Sequence, residues 1–341
     1  MALDDFLAFR PLGFVGLPSN AFPVKHSSFS IALPGTITPE RPVRFPGDVW
    51  VTEIWSYRST SYGGYQIYFQ PCAEVRGYFF HLKDIAQSLK YVFDATPQSC
   101  QDFPDPSGNI VKCRALVNIR ASAGDLLGMS GDGAGVDFGL ADFRSKPSGL
   151  ANLDHYPFDY PYYVSPVDYY PADLKELFAS KLASWDGSTL RTAEPRVGEY
   201  RPDIPGTAQG LWFIPGRDMR ANSADMTPNL ALVSDYIDPE QPTFMLGTSL
   251  QGVKLSLYTY ATESTGLVNR QPRDIKSDGN IYCFEGFPSG RTTGKMPTEH
   301  LYGILLLALP DETTLRAEVQ PVSTCASGPW QFTANAVSYQ R

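Results

Sequence analysis

The side chains of this 341-residue chain that can do chemistry are few and scattered. Four histidines, His26, His81, His155 and His300, span its whole length. His300 precedes an apolar run and reads as a surface or strand-edge residue. His155 lies in a tyrosine-rich stretch with no partner at metal-ligand spacing. The five cysteines, Cys72, Cys100, Cys113, Cys283 and Cys325, form no Cys-x-x-Cys pair, which argues against a zinc ribbon or a thioredoxin-type centre. In an oxidising compartment Cys283 and Cys325 are expected to pair. Cys100 and Cys113, which flank a proline-rich loop, are the next pair, leaving Cys72 free. Gly131, Asp132, Gly133, Ala134 and Gly135 are followed by no Gly-Lys-Ser/Thr, so they read as a tight turn rather than a phosphate cradle. Asp235, Asp238 and Glu240 have the chemistry for calcium, but their spacing reads as a solvated loop. No Gly-x-Ser-x-Gly elbow is present, which argues against an α/β-hydrolase.

The elements that must position these groups are mostly strands. Residues 28–33 alternate polar and apolar, and 48–55 and 65–69 are rich in β-branched and aromatic residues. Leu82, Ile85 and Leu89 recur at helical spacing and predict a short helix over 81–91. Further strands are expected over 113–120, 126–129 and 136–140. Residues 154–171 then carry seven Tyr and Phe side chains, read either as an ordered loop packed on the β domain or as an aromatic platform for a sugar or polymer. Pro171 opens a helix expected to run to about 185. The stretch 186–206, punctuated by Pro and Gly, reads as a linker, followed by six or more short strands that suggest a β-sandwich or small barrel. The expectation is a mainly β protein of two domains, 1–204 and 205–341, the first antiparallel β with short helices and the second all-β.

Composition narrows the function classes. A net charge of −8 and the lack of any Lys/Arg run longer than two leave no basic footprint for nucleic acid. The longest strongly apolar run, 304–309, is far below the roughly 20 residues that span a bilayer. Residues 1–5 show no basic start leading into an apolar segment, so no signal peptide is visible. The expected setting is nonetheless extracytoplasmic or secreted.

The stretch from about 20 to 142 resembles the β domain of lysostaphin-type (LytM-type) zinc endopeptidases, which have the duplicated hybrid motif fold. Four landmarks carry the resemblance in order: His26 to Ser30 with the Pro46-Gly47-Asp48-x-Trp50 turn, Phe80-His81-Leu82, the Ala123-Gly124-Asp125-Leu126-Leu127-Gly128 turn, and Gly135-Val136-Asp137-Phe138. In that family a His, an Asp four residues on and a final His hold zinc, while two further histidines act on the attacking water and the transition state. Position by position, the resemblance implies His26 as the first ligand, Ser30 in place of the Asp, Asp137 in place of the last ligand, His81 as a retained catalytic residue and Gly135 where the other stood. Ser30 is a poor zinc ligand, and Gly135 relays no proton. Three readings follow: a noncatalytic polymer- or partner-binding module, a metal-dependent hydrolase rebuilt around His26, His81 and Asp137 with zinc or another divalent metal, or hydrolysis moved elsewhere. On any of them His26, His81 and Asp137 should converge, with Ser30 beside them.

Overall fold

The computed structural model describes all residues except 16–21, 34, 60–61, 104–108, 132, 148, 221–226, 290–291 and 294–295. Two compact units make up the chain, each assembled from three segments. The first comprises Met1–Leu12, His26–Lys146 and Tyr162–Leu190; the second comprises Gly13–Lys25, Pro147–Pro161 and Arg191–Arg341. The protein is mainly β, with three larger antiparallel sheets of eleven, four and four strands and two α-helices among the described residues. No described helix is long and apolar enough to cross a membrane.

The first unit holds β1 (Ala8–Arg10), β2 (Ser27–Ser30), β3 (Pro42–Arg44), β4 (Val49–Arg58), β5 (Gly63–Cys72), β6 (Val75–Ile85), β7 (Gln98–Phe103), β8 (Ile110–Ala121), β9 (Leu126–Ser130), β10 (Gly135–Asp142) and β11 (Tyr163–Val164). Its sheet runs β1-β2-β10-β6-β5-β4-β8-β7, while β9 pairs with both β3 and β6. One face is apolar: Ile54, Ile67, Phe69, Phe79, Val136 and Phe138 alternate along their strands and are buried. The helix expected over 81–91 is instead the end of β6 followed by α1 (Gln87–Ala95). Leu82 and Ile85 pair with Ser130 and Gly128 of β9, so ladder hydrogen bonds override the helical spacing. Leu89 and Phe93 form the buried stripe of the helix that does form. The helix expected over 172–185 stops early as α2 (Ala172–Ala179), because Leu182 pairs with Phe9 and Ala183 with Leu190.

In the second unit, β12 (Gly210–Trp212), β13 (Leu230–Ser234), β14 (Pro242–Leu246) and β15 (Ser256–Tyr258) form one sheet. A short hairpin, β17 (Thr292–Thr293) with β18 (Met296–Pro297), follows β16 (Tyr282–Phe284) in the chain. The other sheet orders β16, β19 (Ile304–Asp311), β20 (Thr314–Gln320) and β21 (Val337–Gln340). Trp212, Leu232, Phe244 and Tyr258 from one sheet and Phe284, Leu305, Leu315 and Tyr339 from the other bury in one cluster. Asp235, expected in a solvated loop, is 4% exposed. Its Oδ1 accepts the backbone N–H groups of Ile237 and Asp238, closing a turn, while Glu240 pairs with Arg273.

Both expected disulfides are present, Cys100–Cys113 across β7 and β8 and Cys283–Cys325 in the second unit, and Cys72 is free and exposed. Two disulfides are consistent with an extracytoplasmic location. The two bridges close loops of 13 and 42 residues, and in the chain-entropy model each adds roughly 3–4 kcal/mol. Unreduced, denatured protein should therefore titrate one thiol, rising to five after reduction; two or more before reduction would contradict the pairing.

The second unit also carries a pH dependence. Asp203 is buried, and its two oxygens accept from the N–H groups of Leu211 and Ala151 at 2.8 and 2.7 Å. Burial outweighs those hydrogen bonds and the nearby Arg341, pushing Asp203 up to about 6; burial likewise pushes Asp235 up to about 6, against its turn hydrogen bonds and Arg191. A raised folded-state value means the folded form holds these protons more tightly. Their contribution is fully present below the unfolded value near 4 and is lost as pH rises through about 6. Asp203→Asn should therefore be less destabilising at pH 7.5 than at pH 4.5, by on the order of 2 kcal/mol. A cost independent of pH in denaturant titrations would contradict this.

Candidate functional site

The site is built on three neighbouring strands, with β10 between β2 and β6. Cross-strand partners share a sheet face, and Asp137 pairs with Ser28 on one side and Phe80 on the other. His26 precedes β2 by one residue and lies two positions from Ser28, on the Asp137 face. His81 follows Phe80 and should by alternation point to the opposite face. It does not, because β6 is bulged there. The register between β5 and β6 steps from Tyr65–Leu82 to Ile67–Phe79, so Gln66 opposes both Phe80 and His81. His81 itself adopts φ 64°, the left-handed region that costs an L-residue roughly 1–2 kcal/mol. At this point β6 exchanges its partner β10 for β9.

The result is convergence. The Nε2 atoms of His26 and His81 lie 3.5 and 3.4 Å from the same Asp137 oxygen, Oδ2. The Asp137 and His26 side chains are 10% and 15% exposed, while His81 is open at 39%. His81 stacks on Phe80 at 4.0 Å between ring centroids, and Tyr78 stands edge-on to His26 at 6.2 Å. Tyr78 reaches that place because it crosses Gly139, where a Cβ would lie 2.2 Å from its ring. Behind the cluster, buried Arg10 donates to Ser28 Oγ at 2.8 Å and lies 4.2 Å from the centre of the Trp185 ring.

Electrostatics set the charge of the pocket. Burial alone would raise Asp137, but His26, His81, Arg10 and the Ser28 hydroxyl outweigh it and hold the carboxyl below its usual range. Burial, reinforced by Arg10 and His81, lowers His26 despite Asp137 and the Ser27 carbonyl. His26 Nδ1 lies 3.2 Å from the backbone oxygen of Ser27, to which it donates when it carries the ring proton, while Nε2 faces the Asp137 carboxylate.

Among the described residues, no group of three or more His, Cys, Asp or Glu side chains could hold a metal ion. The two imidazoles meet the carboxylate pairwise, each edge near the roughly 3.3 Å that separates two ligands of one zinc.

The remaining expected positions contribute little to such a pocket. Ser30 lies on the same face, paired with Gly135, but its buried Oγ has no hydrogen-bond partner. A Cβ at Gly135 would stand 2.5 Å from the Phe29 carbonyl oxygen and 3.3 Å from Ser28 Oγ, so no side chain fits without moving β2. Asp132, of the expected tight turn, lies outside the described residues. His155 is remote in role: it stacks on Phe213 at 4.8 Å within the second unit. Sequence reasoning did not single out Arg10, Ser28 or Tyr78. Only the short β1–β2 pairing, which sets Arg10 opposite Ser28, explains the first two, and no motif marks it.

Comparison of the chain with family profiles, curated proteins and solved structures finds no match.

The bulge gives a direct test. Substituting His81 by Gly removes the imidazole and relieves the left-handed strain, whereas Ala removes the imidazole and keeps the strain. His81→Gly should be more stable than His81→Ala by about 1 kcal/mol in denaturant titration. Equal stabilities would mean that β6 is not bulged as described.

Proposed function

We propose that the first unit is a relative of the lysostaphin-type peptidase domain, a duplicated hybrid motif, that keeps a metal-holding cluster and has lost its hydrolytic machinery. It serves as a secreted or envelope module that binds a polymer or partner. On this reading the second unit is an appended β-sandwich. The observation that carries the loss of catalysis is Gly135. Its backbone is packed too closely against Phe29 for a proton-relaying side chain, and neutral Ser30 replaces the family's acidic ligand. His26, His81 and Asp137 would hold zinc or another divalent transition metal. Bound there, the ion would supply positive charge beside the Asp137 carboxylate.

The face around the cluster supports a binding role. Half-buried Phe80, Tyr68 and Trp55 line the same side of the sheet, and Arg76 and Arg114 lie over the Tyr68 and Trp55 rings. Both arginines also hold Glu53, at 2.9 and 2.8 Å, so the rings are fixed rather than loose. Flat, fixed aromatic surfaces with polar rims suit extended polymers.

A second reading keeps hydrolysis, because His81 is open to solvent beside an ionised carboxylate. One experiment separates the two. The protein, with one equivalent of zinc, is mixed with insoluble cell-wall polymer, and both sedimented protein and released amines are followed. Our reading predicts co-sedimentation that weakens in Trp55→Ala, with no amine release above the protein-free control. Zinc-dependent release that disappears in His81→Ala would establish the hydrolase instead. Absence of both would reject the two readings together.

A further inference from the structure

On the opposite side of the same sheet from Trp55 and Gln66, the first unit carries a groove of ≈ 950 Å³, within the size range of small-ligand sites. It lies between the turn end of the β4–β5 hairpin and α1, and none of His26, His81 or Asp137 lines it. The floor is apolar and aromatic: Tyr65 and Phe93 meet edge to face at 6.1 Å, with Tyr62 on the hairpin side.

The walls carry opposite charge. On the helix side, Lys90 sits between Asp84, at 3.5 Å, and Asp94 one turn along α1. Two carboxylates therefore face one ammonium and leave a net negative wall. Glu40 and Lys83 form an ion pair and cancel each other. On the hairpin side Arg58, exposed at the end of β4, leaves a net positive wall. An aromatic floor between one uncompensated carboxylate and one guanidinium matches a ligand with an ammonium at one end, a carboxylate at the other and a small apolar body between. An uncharged glycan would use neither wall. A nucleotide would need more positive charge than Arg58 supplies.

We propose that this groove is a second binding site, for a short peptide with free amino and carboxyl termini, held by Asp94 at the amine and Arg58 at the carboxylate. The site stands apart from the reading of the His26 cluster.

The test uses the tripeptide Ala-Val-Ala, in free, N-acetylated and C-amidated forms, titrated calorimetrically into the full chain. Removing one charge-assisted contact should weaken binding roughly tenfold. Asp94→Asn should reproduce the loss caused by acetylation, and Arg58→Gln the loss caused by amidation. Each variant should be indifferent to the modification it mimics. Both residues are exposed, so unchanged melting is expected, and His26→Ala should bind the free tripeptide as the parent does. Equal affinity for free and doubly blocked peptide would overturn the proposal. So would no binding at millimolar peptide, or binding of a neutral chito-oligosaccharide that Arg58→Gln and Asp94→Asn leave unchanged.

Discussion

Asp137 is almost enclosed, its carboxyl is held below its usual range, and two imidazole nitrogens approach it at 3.5 and 3.4 Å. An isolated carboxylate in such surroundings would take up a proton rather than stay charged. It stays charged because Arg10 and Ser28 sit behind it and the imidazoles sit in front. Much of the first unit's local architecture serves that arrangement. β10 runs between β2 and β6, so residues far apart in sequence share one face; Gly139 admits Tyr78 beside His26; and the β6 bulge turns His81 back to the carboxylate.

The bulge costs stability that a regular strand would not. A left-handed histidine is uncommon, and strained backbone persists where the surrounding ladder over-determines it. Here β10 fixes the strand before His81 and β9 fixes it after, so the strain is confined to the switch between partners. The opposite economy holds at Gly135, where the strands approach too closely for any side chain. The fold strains one residue that carries an imidazole and leaves no room for a side chain at another.

Much of this was legible in the sequence, for identifiable reasons. Alternation over 28–33 and β-branched and aromatic enrichment over 48–55 and 65–69 marked strands, and the scarcity of histidines drew attention to His26 and His81, while Asp137 came from the resemblance alone. Given an oxidising compartment, the proline-rich loop between Cys100 and Cys113 and the isolation of Cys283 and Cys325 in the later part of the chain were enough to pair them. What stayed hidden depends on partners distant in sequence. Leu82, Ile85 and Leu89 carry a helical spacing that β9 overrules. The aromatic run over 154–171 looked like one feature, yet Tyr156 packs on Phe213 in the second unit, while Tyr163 and Tyr170 pack on Tyr78 and Phe178 in the first. Nothing local announces that Arg10 is buried, or that Asp235 turns inward to close its own loop.

The central proposal is that His26, His81 and Asp137 hold a divalent metal ion. Its most direct test is the zinc content of the folded protein, dialysed at neutral pH against excess zinc and then against zinc-free buffer, with Cys72 replaced by Ser to remove the free thiol. The account predicts one zinc per chain, lost in His26→Ala and in Asp137→Asn while His26→Ala keeps its cooperative unfolding. A chain that retains no zinc, or one whose zinc survives His26→Ala, would contradict it.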